Sequence, residues 1–168
     1  MEGTIYRSTS PRYATSSDLV SGAGSRLHGG RWNPIGVAAV YGSFTPETAL
    51  AETLAHCRYY GLPVHAAMPR TFVAIEFSLA KVLDLKLGRN RQILGVSQRR
   101  LLECDWRAAM QHGQLPLTHQ VALAAFNAGL ETLVVASAAD PAGKNLIVFV
   151  DRLEVGSRLA VIRGDRLS

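Results

Sequence analysis

A mixed α+β fold, with one sheet flanked by helices in a single domain spanning residues 1–168, is what this chain predicts, and three observations carry the expectation. Runs rich in β-branched and aromatic residues alternate irregularly with helical patterns, which disfavours a parallel, doubly wound sheet. The 168 residues are 48% hydrophobic, enough for one core. No Ser/Pro/Gly-rich linker, charge block or internal repeat divides them.

The elements follow in chain order. Thr4 to Arg7 is a short strand, and Ser8 to Gly30, rich in Ser, Gly, Thr and Pro, is expected to be a long loop of the kind that forms lids or binding segments. Val37 to Tyr41 is a buried strand that Gly42-Ser43-Phe44 should break. The next helix has an explicit start, with Thr45 as cap, Pro46 at its first position and Glu47 in its first turn. It should run to about Tyr60, where Gly61 and Pro63 stop it. At 100° per residue, Leu50, Leu54 and Cys57 fall on one side of this helix and Thr48, Glu52, His56 and Tyr59 on the other. Glu52 is therefore not a core residue; it meets solvent or walls a cleft covered by the glycine-rich loop. Thr71 to Phe77 is a strand, with Lys81 to Leu85 a shorter companion. Helices are expected from about Ser97 to Gln111 and from about Thr118 to Ala128, the second ended by Gly129. Strands follow over Glu131 to Ala136 and Leu146 to Asp151, and Leu159 to Arg163 adds an edge strand.

Composition excludes several classes. No apolar run approaches the roughly 18 residues of a membrane helix, and Met1 to Arg7 lacks the plan of a secretory signal, so the expected location is the cytoplasm. Cys57 and Cys104 show no metal-ligand spacing and are expected to be buried thiols, which fits a reducing compartment. Eighteen Lys+Arg against thirteen Asp+Glu give a formal +5, and only Lys81, Lys86 and Lys144 among the basic residues are lysines. That bias is compatible with two-pronged recognition of planar anions, and equally with genomic base composition. The clusters Arg89-Asn90-Arg91 and Arg99-Arg100 could form a nucleic-acid face, but no aromatic ladder or helix-turn-helix signature accompanies them. There is no phosphate loop of the Gly-x-x-x-x-Gly-Lys type, no Gly-x-Gly-x-x-Gly turn, no zinc motif and no nucleophile elbow. The five histidines are scattered; His56 stands out because it follows Glu52 by four residues on one helical side.

The most informative stretch is Gly29-Gly30-Arg31-Trp32-Asn33-Pro34, followed by Tyr41 and then by Glu52. A fixed cation, an aromatic and a lone carboxylate suit a site for an anionic, ring-bearing substrate. Ser137 arrives late, just after the apolar segment Thr132 to Val135. Each has a plain structural alternative: Arg31 an ion pair, Trp32 and Tyr41 core, Ser137 a loop cap.

The order Tyr6-Arg7, Gly30-Arg31-Trp32-Asn33, Val40-Tyr41, Ala49-Leu50-Ala51-Glu52, Val135-Ala136-Ser137 and Gly143-Lys144-Asn145-Leu146 resembles the RES-domain family, named for an arginine, a glutamate and a serine. The resemblance covers essentially the whole chain, and Gly-Gly-Arg-Trp-Asn is its most specific part. It implies a toxin of a bacterial toxin–antitoxin pair, with a mixed, twisted sheet similar to that of ADP-ribosyltransferases. It also implies consumption of NAD⁺ by hydrolysis, phosphorolysis or transfer of ADP-ribose to a protein, the last being favoured, with NAD⁺ as substrate and no metal. Carried over by motif, the catalytic trio is Arg31, Glu52 and Ser137.

In that reading Glu52 stabilises an oxocarbenium-like ribose, and Arg31 grips the pyrophosphate with Arg7 as a second cation. Tyr41 and Tyr6 stack on nicotinamide or position the ribose, Ser137 and Asn145 orient substrate or Glu52, and His56 is a supporting partner or relay. The family also implies a cognate antitoxin, commonly carrying a DNA-binding segment, for which the Ser8 to Gly30 loop is a contact region. A protein target of ADP-ribosylation is a further implied partner, while neither a membrane nor direct nucleic-acid binding is expected. The alternative is a basic, RNA-binding or ribonuclease-type toxin acting through Arg89, Arg91, Arg99 and Arg100, whose binding would weaken steeply with salt.

Overall fold

The computed structural model describes residues 1–11 and 15–162. Its centre is a seven-stranded sheet built from β1 (Glu2–Thr9), β2 (Ala39–Ser43), β3 (Thr71–Ser78), β4 (Val82–Asp84), β5 (Thr132–Ala136), β6 (Lys144–Phe149) and β7 (Arg158–Val161). The strand order is β4-β5-β6-β2-β1-β3-β7. Only β4 and β5 run parallel; every other pair is antiparallel, so the sheet is mixed, and β7 is an edge as expected.

Strand alternation buries both faces of the sheet. On β5 and β6, Leu133, Val135, Ile147 and Phe149 join one core with Trp32 and Leu101, while Val134, Leu146 and Val148 join the other with Ile5, Leu19 and Ile75. The helices α1 (Ser16–Val20), α2 (Ala23–His28), α3 (Pro46–Tyr59), α4 (Gly88–Ile93), α5 (Gln98–Glu103), α6 (Trp106–Gln111) and α7 (Leu117–Asn127) flank it.

One discontinuity organises the molecule. The β1–β3 ladder holds eight residue pairs and β2–β6 holds five, but β1 meets β2 only at Tyr6↔Ser43. Beyond that pair the sheet opens, and the gap becomes a cleft.

Several expectations are corrected. The Ser8 to Gly30 segment is not one loop: β1 continues to Thr9, and α1 and α2 follow. Arg12, Tyr13 and Ala14, and Arg163 at the far end, lie outside the described residues. Thr15 caps α1 by accepting from the Asp18 amide at 3.2 Å, and Leu19, 1% exposed, plugs the second core. Such short helices are stabilised by burial of one residue and a cap, which periodicity over a long window does not reveal.

Strand β2 starts two residues later than expected and runs through Gly42 to Ser43. Gly42 is required because a Cβ there would come within 2.9 Å of the Ile5 Cβ, and Ser43 pairs with Asn145. The helix expected over Ser97 to Gln111 breaks at Cys104, where the backbone is extended, and Asp105 caps α6 through the Ala108 amide at 3.0 Å. Asp is better satisfied as a cap than inside a helix. Helix α4 carried no clear pattern in the sequence. Cys57 is buried, whereas Cys104 is only half-buried; both are free thiols.

Candidate active site

Helix α3 begins as expected, Thr45 accepting from the Thr48 amide at 3.1 Å with Pro46 at its first turn. Its buried positions are Thr48, Ala49, Thr53 and Cys57, so Leu50 and Leu54, expected in the core, are only half-buried. Of the expected apolar side only Cys57 is fully buried, while Thr48, expected on the polar side, is buried against the β5–β6 loop. The Thr48 hydroxyl donates to Asp140 Oδ2 at 2.6 Å. That bond, with the Ala142 and Gly143 amides, outweighs burial and holds the Asp140 carboxyl below the usual range. Gly143 fits under this contact; a Cβ would lie 2.5 Å from Asp140 Oδ2 and 2.6 Å from Thr48 Oγ1.

The loop so fixed delivers Ser137 to Glu52. Ser137 Oγ accepts from the amides of Ala139 at 3.1 Å and Asp140 at 3.0 Å and donates to Glu52 Oε1 at 2.7 Å. Asn145 reaches the same oxygen, Nδ2 donating at 2.7 Å, while its Oδ1 accepts from Ser43 Oγ at 2.7 Å. The Ser43 donor thereby sets the orientation of the amide. Two donors converge on Oε1; Oε2 receives none among the described residues, and half-buried Glu52 lines the cleft.

The Gly-Gly-Arg-Trp-Asn turn builds the opposite wall. Asn33, 0% exposed, donates through Nδ2 to the carbonyls of Ser25 at 2.9 Å and Val37 at 2.8 Å, and its Oδ1 accepts from the Tyr41 hydroxyl at 2.6 Å. Tyr41 in turn accepts from the Trp32 amide at 2.9 Å. Burial pushes the Tyr41 phenol up, so it remains a neutral donor. Gly30 is required here, because a Cβ would sit 2.5 Å from the Tyr41 oxygen. His119 Nε2–H donates to the Gly30 carbonyl at 2.7 Å, and burial lowers the ring's pKa.

This turn holds Arg31 at the cleft. Its Nη2 donates to the carbonyls of Leu101 and Leu102, both at 2.7 Å, in the last turn of α5, where helical carbonyls lack intrahelical partners. Burial lowers the Arg31 pKa, opposed by Cys104 and Glu52. Arg7, on β1, likewise donates Nη1 to a helix-end carbonyl, that of Leu19, and burial lowers its pKa.

A cleft of about 330 Å³ is lined by Tyr6, Arg7, Arg31, Tyr41, Glu52, His56 and Asn145 together. Ser137, 4% exposed, stands behind Glu52. His56 pairs loosely with Arg107 Nη2 at 3.4 Å, and burial together with Arg107 and Arg70 lowers its pKa, favouring the neutral ring. Arg107 lies 4.3 Å from the ring centroids of both Tyr59 and Trp106. Sequence reasoning missed Ser8, Ser43, Thr48, Thr53, Arg70 and Asp140. Ser43 and Asn145 meet only through strand register, and Arg70 gave no motif signal. Of the four arginines of the alternative reading, Arg91 is engaged by the Leu85 and Lys86 carbonyls and Arg99 pairs with Glu103 at 2.8 Å on the surface, while Arg89 and Arg100 are exposed. Among the described residues no group of three His, Cys, Asp or Glu side chains could hold a metal ion, and no helix is long and apolar enough to cross a membrane.

The RES domain family model matches residues 4–166. A 76-residue stretch is 37% identical to the Prs ADP-ribosylating toxin of Sphingobium sp. (strain YBL2), covering 45% of this chain and 45% of that protein. A 52-residue stretch is 42% identical to Toxin Res of Photorhabdus laumondii subsp. laumondii, covering 31% and 32%. The matched stretches thus span less than half of either relative's own length. The fold resembles that in the crystal structure of the M.tuberculosis MbcT-MbcA toxin-antitoxin complex, with TM-score 0.76 and 21% identity over 97% of this chain and 82% of the other.

Proposed function

The chain belongs to the RES-domain family, and from that premise we propose that it is a toxin that cleaves the nicotinamide–ribose bond of NAD⁺ in the cleft between Arg31 and Glu52 and passes ADP-ribose to an acceptor. The observation that carries the reading is the carboxylate of Glu52, with one oxygen fixed by Ser137 and Asn145 and the other left to a cleft lined by guanidinium groups.

The chemistry follows from the substrate. Nicotinamide leaves NAD⁺ as a neutral base, the electron pair of the broken C–N bond passing to the pyridinium nitrogen, so no metal and little acid is needed. The ribose carbon becomes oxocarbenium-like, and an ionised carboxylate held rigidly beside it stabilises that charge more in the transition state than in the substrate. Ser137 and Asn145 hold Glu52 against rotation without neutralising it. Guanidinium groups anchor the diphosphate, which fixes the sugar relative to Glu52. Tyr6 and the ring of Tyr41 supply apolar surface for nicotinamide; the Tyr41 hydroxyl is spent on Asn33 and Trp32. The acceptor oxygen or nitrogen then bonds to the carbon and loses its proton.

A protein side chain is the favoured acceptor, supported by the name of the Sphingobium relative. Labelled NAD⁺ incubated with lysate and phosphate, followed by separation of labelled protein from small products, tests this. Label in protein supports it, and label only in ADP-ribose or its phosphate ester moves the acceptor to water or phosphate. Neutralisation by an antitoxin covering the cleft is part of the proposal, supported by the fold shared with a toxin crystallised with its antitoxin. Co-expression with a neighbouring gene's product should restore growth and block nicotinamide release.

A further inference from the structure

Among the described residues three guanidinium groups line the cleft, from Arg7, Arg31 and Arg70, and they are not equivalent. Arg31 commits Nη2 to two carbonyls, and Arg7 commits Nη1 to one. Arg70 makes no hydrogen bond or ion pair among the described residues. Its Nε is buried without a partner, and so is the hydroxyl oxygen of Ser8, another lining residue. A buried guanidine N–H is a strong donor, and buried polar groups are rarely left unmatched.

These two groups lie at one place in the fold. Ser8 pairs with Phe72 in the β1–β3 ladder, and Arg70 immediately precedes β3 at Thr71. Ser8 borders the gap where β1 has parted from β2, Arg70 stands beside it across the β1–β3 ladder, and both line the cleft. The field there is positive: Arg70 and Arg107 both disfavour a charge on His56, and among the described residues Glu52 is the one carboxylate lining the cleft. An unengaged guanidinium fork, a hydroxyl and a positive field together fit a ligand group with several anionic oxygens.

We infer that Arg70 and Ser8 form a phosphoryl-binding subsite at the β1–β3 end of the cleft, filled by the diphosphate of the dinucleotide or by a free phosphate serving as acceptor. The inference rests on the proposed NAD⁺ reading and shifts the main anion contact from Arg31 to Arg70. Arg31 then serves chiefly to hold α5 against the cleft.

The test compares the full-length protein with Arg70→Gln, Arg70→Lys, Ser8→Ala and the surface control Arg99→Gln, each checked for an unchanged melting temperature. For a diphosphate contact, Arg70→Gln should raise the KM for NAD⁺ about 10- to 100-fold with kcat nearly constant. It should also abolish competition by inorganic pyrophosphate and leave affinity for nicotinamide riboside unmoved. Arg70→Lys should recover part of the loss, Ser8→Ala should raise KM by a few-fold, and Arg99→Gln should behave as wild type. For a free-phosphate contact, Arg70→Gln should leave the KM for NAD⁺ alone and remove the dependence of rate and product on inorganic phosphate. If neither NAD⁺ nor phosphate dependence moves in a folded Arg70→Gln protein that still releases nicotinamide, the subsite is wrong and the NAD⁺ reading stands. If wild type releases no nicotinamide, the NAD⁺ reading fails. Calorimetric pyrophosphate binding that is present in wild type and lost in Arg70→Gln would then still support the subsite; binding equal in both would overturn it.

Discussion

The two ends of β5 hold two glutamates in opposite ways. Just before the strand, Glu131 is 0% exposed; Oε2 accepts from the amides of Ala80 at 2.6 Å and Lys81 at 3.1 Å, and Oε1 from Glu154 at 2.7 Å. Burial works against its charge, but hydrogen bonds from Ser157, Glu154, Lys81 and Ala80 outweigh it and hold the carboxyl below the usual range. Just after the strand, about 20 Å away at strand rise, Ser137 holds Glu52 by one oxygen only. Donors saturate the first carboxylate on both oxygens and fix chain segments to one another. The second is fixed on one side and available on the other. A buried acid with its lone pairs matched is a structural staple, whereas the acid held in place but left half-satisfied is the one proposed above to face the substrate.

Neutralising each acid separates the two roles. Glu52→Gln should reduce nicotinamide release by roughly three orders of magnitude, with a melting temperature within about 2 °C of wild type. A folded variant with wild-type turnover would sink the catalytic assignment. Glu131→Gln should do the reverse: an amide nitrogen would face a backbone N–H inside the protein, costing about 3 kcal/mol. For a chain of this size that lowers the melting temperature by about 10 °C. Activity per folded molecule, assayed well below the transition, should be unchanged.

Smaller effects sharpen the same contrast. Ser137→Ala and Asn145→Ala should each lower kcat about 10- to 100-fold, with little change in KM, because they loosen Glu52 without touching substrate. In a Glu52→Gln background they should cost almost nothing further, and additivity there would show that they act on substrate directly. The smallest effect is the pH dependence of stability. The folded pKa of Glu131 lies below its unfolded value, so its contribution is complete above the unfolded value of about 4.3 and is lost as pH falls through the folded one. Melting curves of wild type and Glu131→Gln, well separated at pH 7, should therefore approach each other below about pH 4; a gap that widens there would invert the assignment.

Local chemistry made part of this legible beforehand. Thr45-Pro46-Glu47 announces the start of α3 because capping is a short-range affair, and the strands show through their β-branched runs. The family resemblance marked Arg31, Glu52 and Ser137, and the structure brings them to one cleft and its back wall. What stayed hidden depends on distant chain. The apolar stripe of α3 placed Leu50 and Leu54 inwards, yet both are only half-buried, while Thr48 from the polar side is buried in a hydrogen bond to Asp140, ninety-two positions away. Glu131 looked like the first residue of a strand, since nothing nearby in sequence foretells amides from two remote segments.

Fold class and the onset of α3 were thus determined by the amino-acid sequence itself, since propensity and capping are properties of neighbouring residues, and its ordered motifs singled out Glu52 and Ser137 as the candidate acid and its serine. Which oxygen of Glu52 is held, which arginine keeps its donors unspent, and which acid is a staple were decided only by tertiary structure. Those outcomes depend on desolvation and on directional hydrogen bonds between groups that the sheet brings together across ladder registers, and no local rule encodes them.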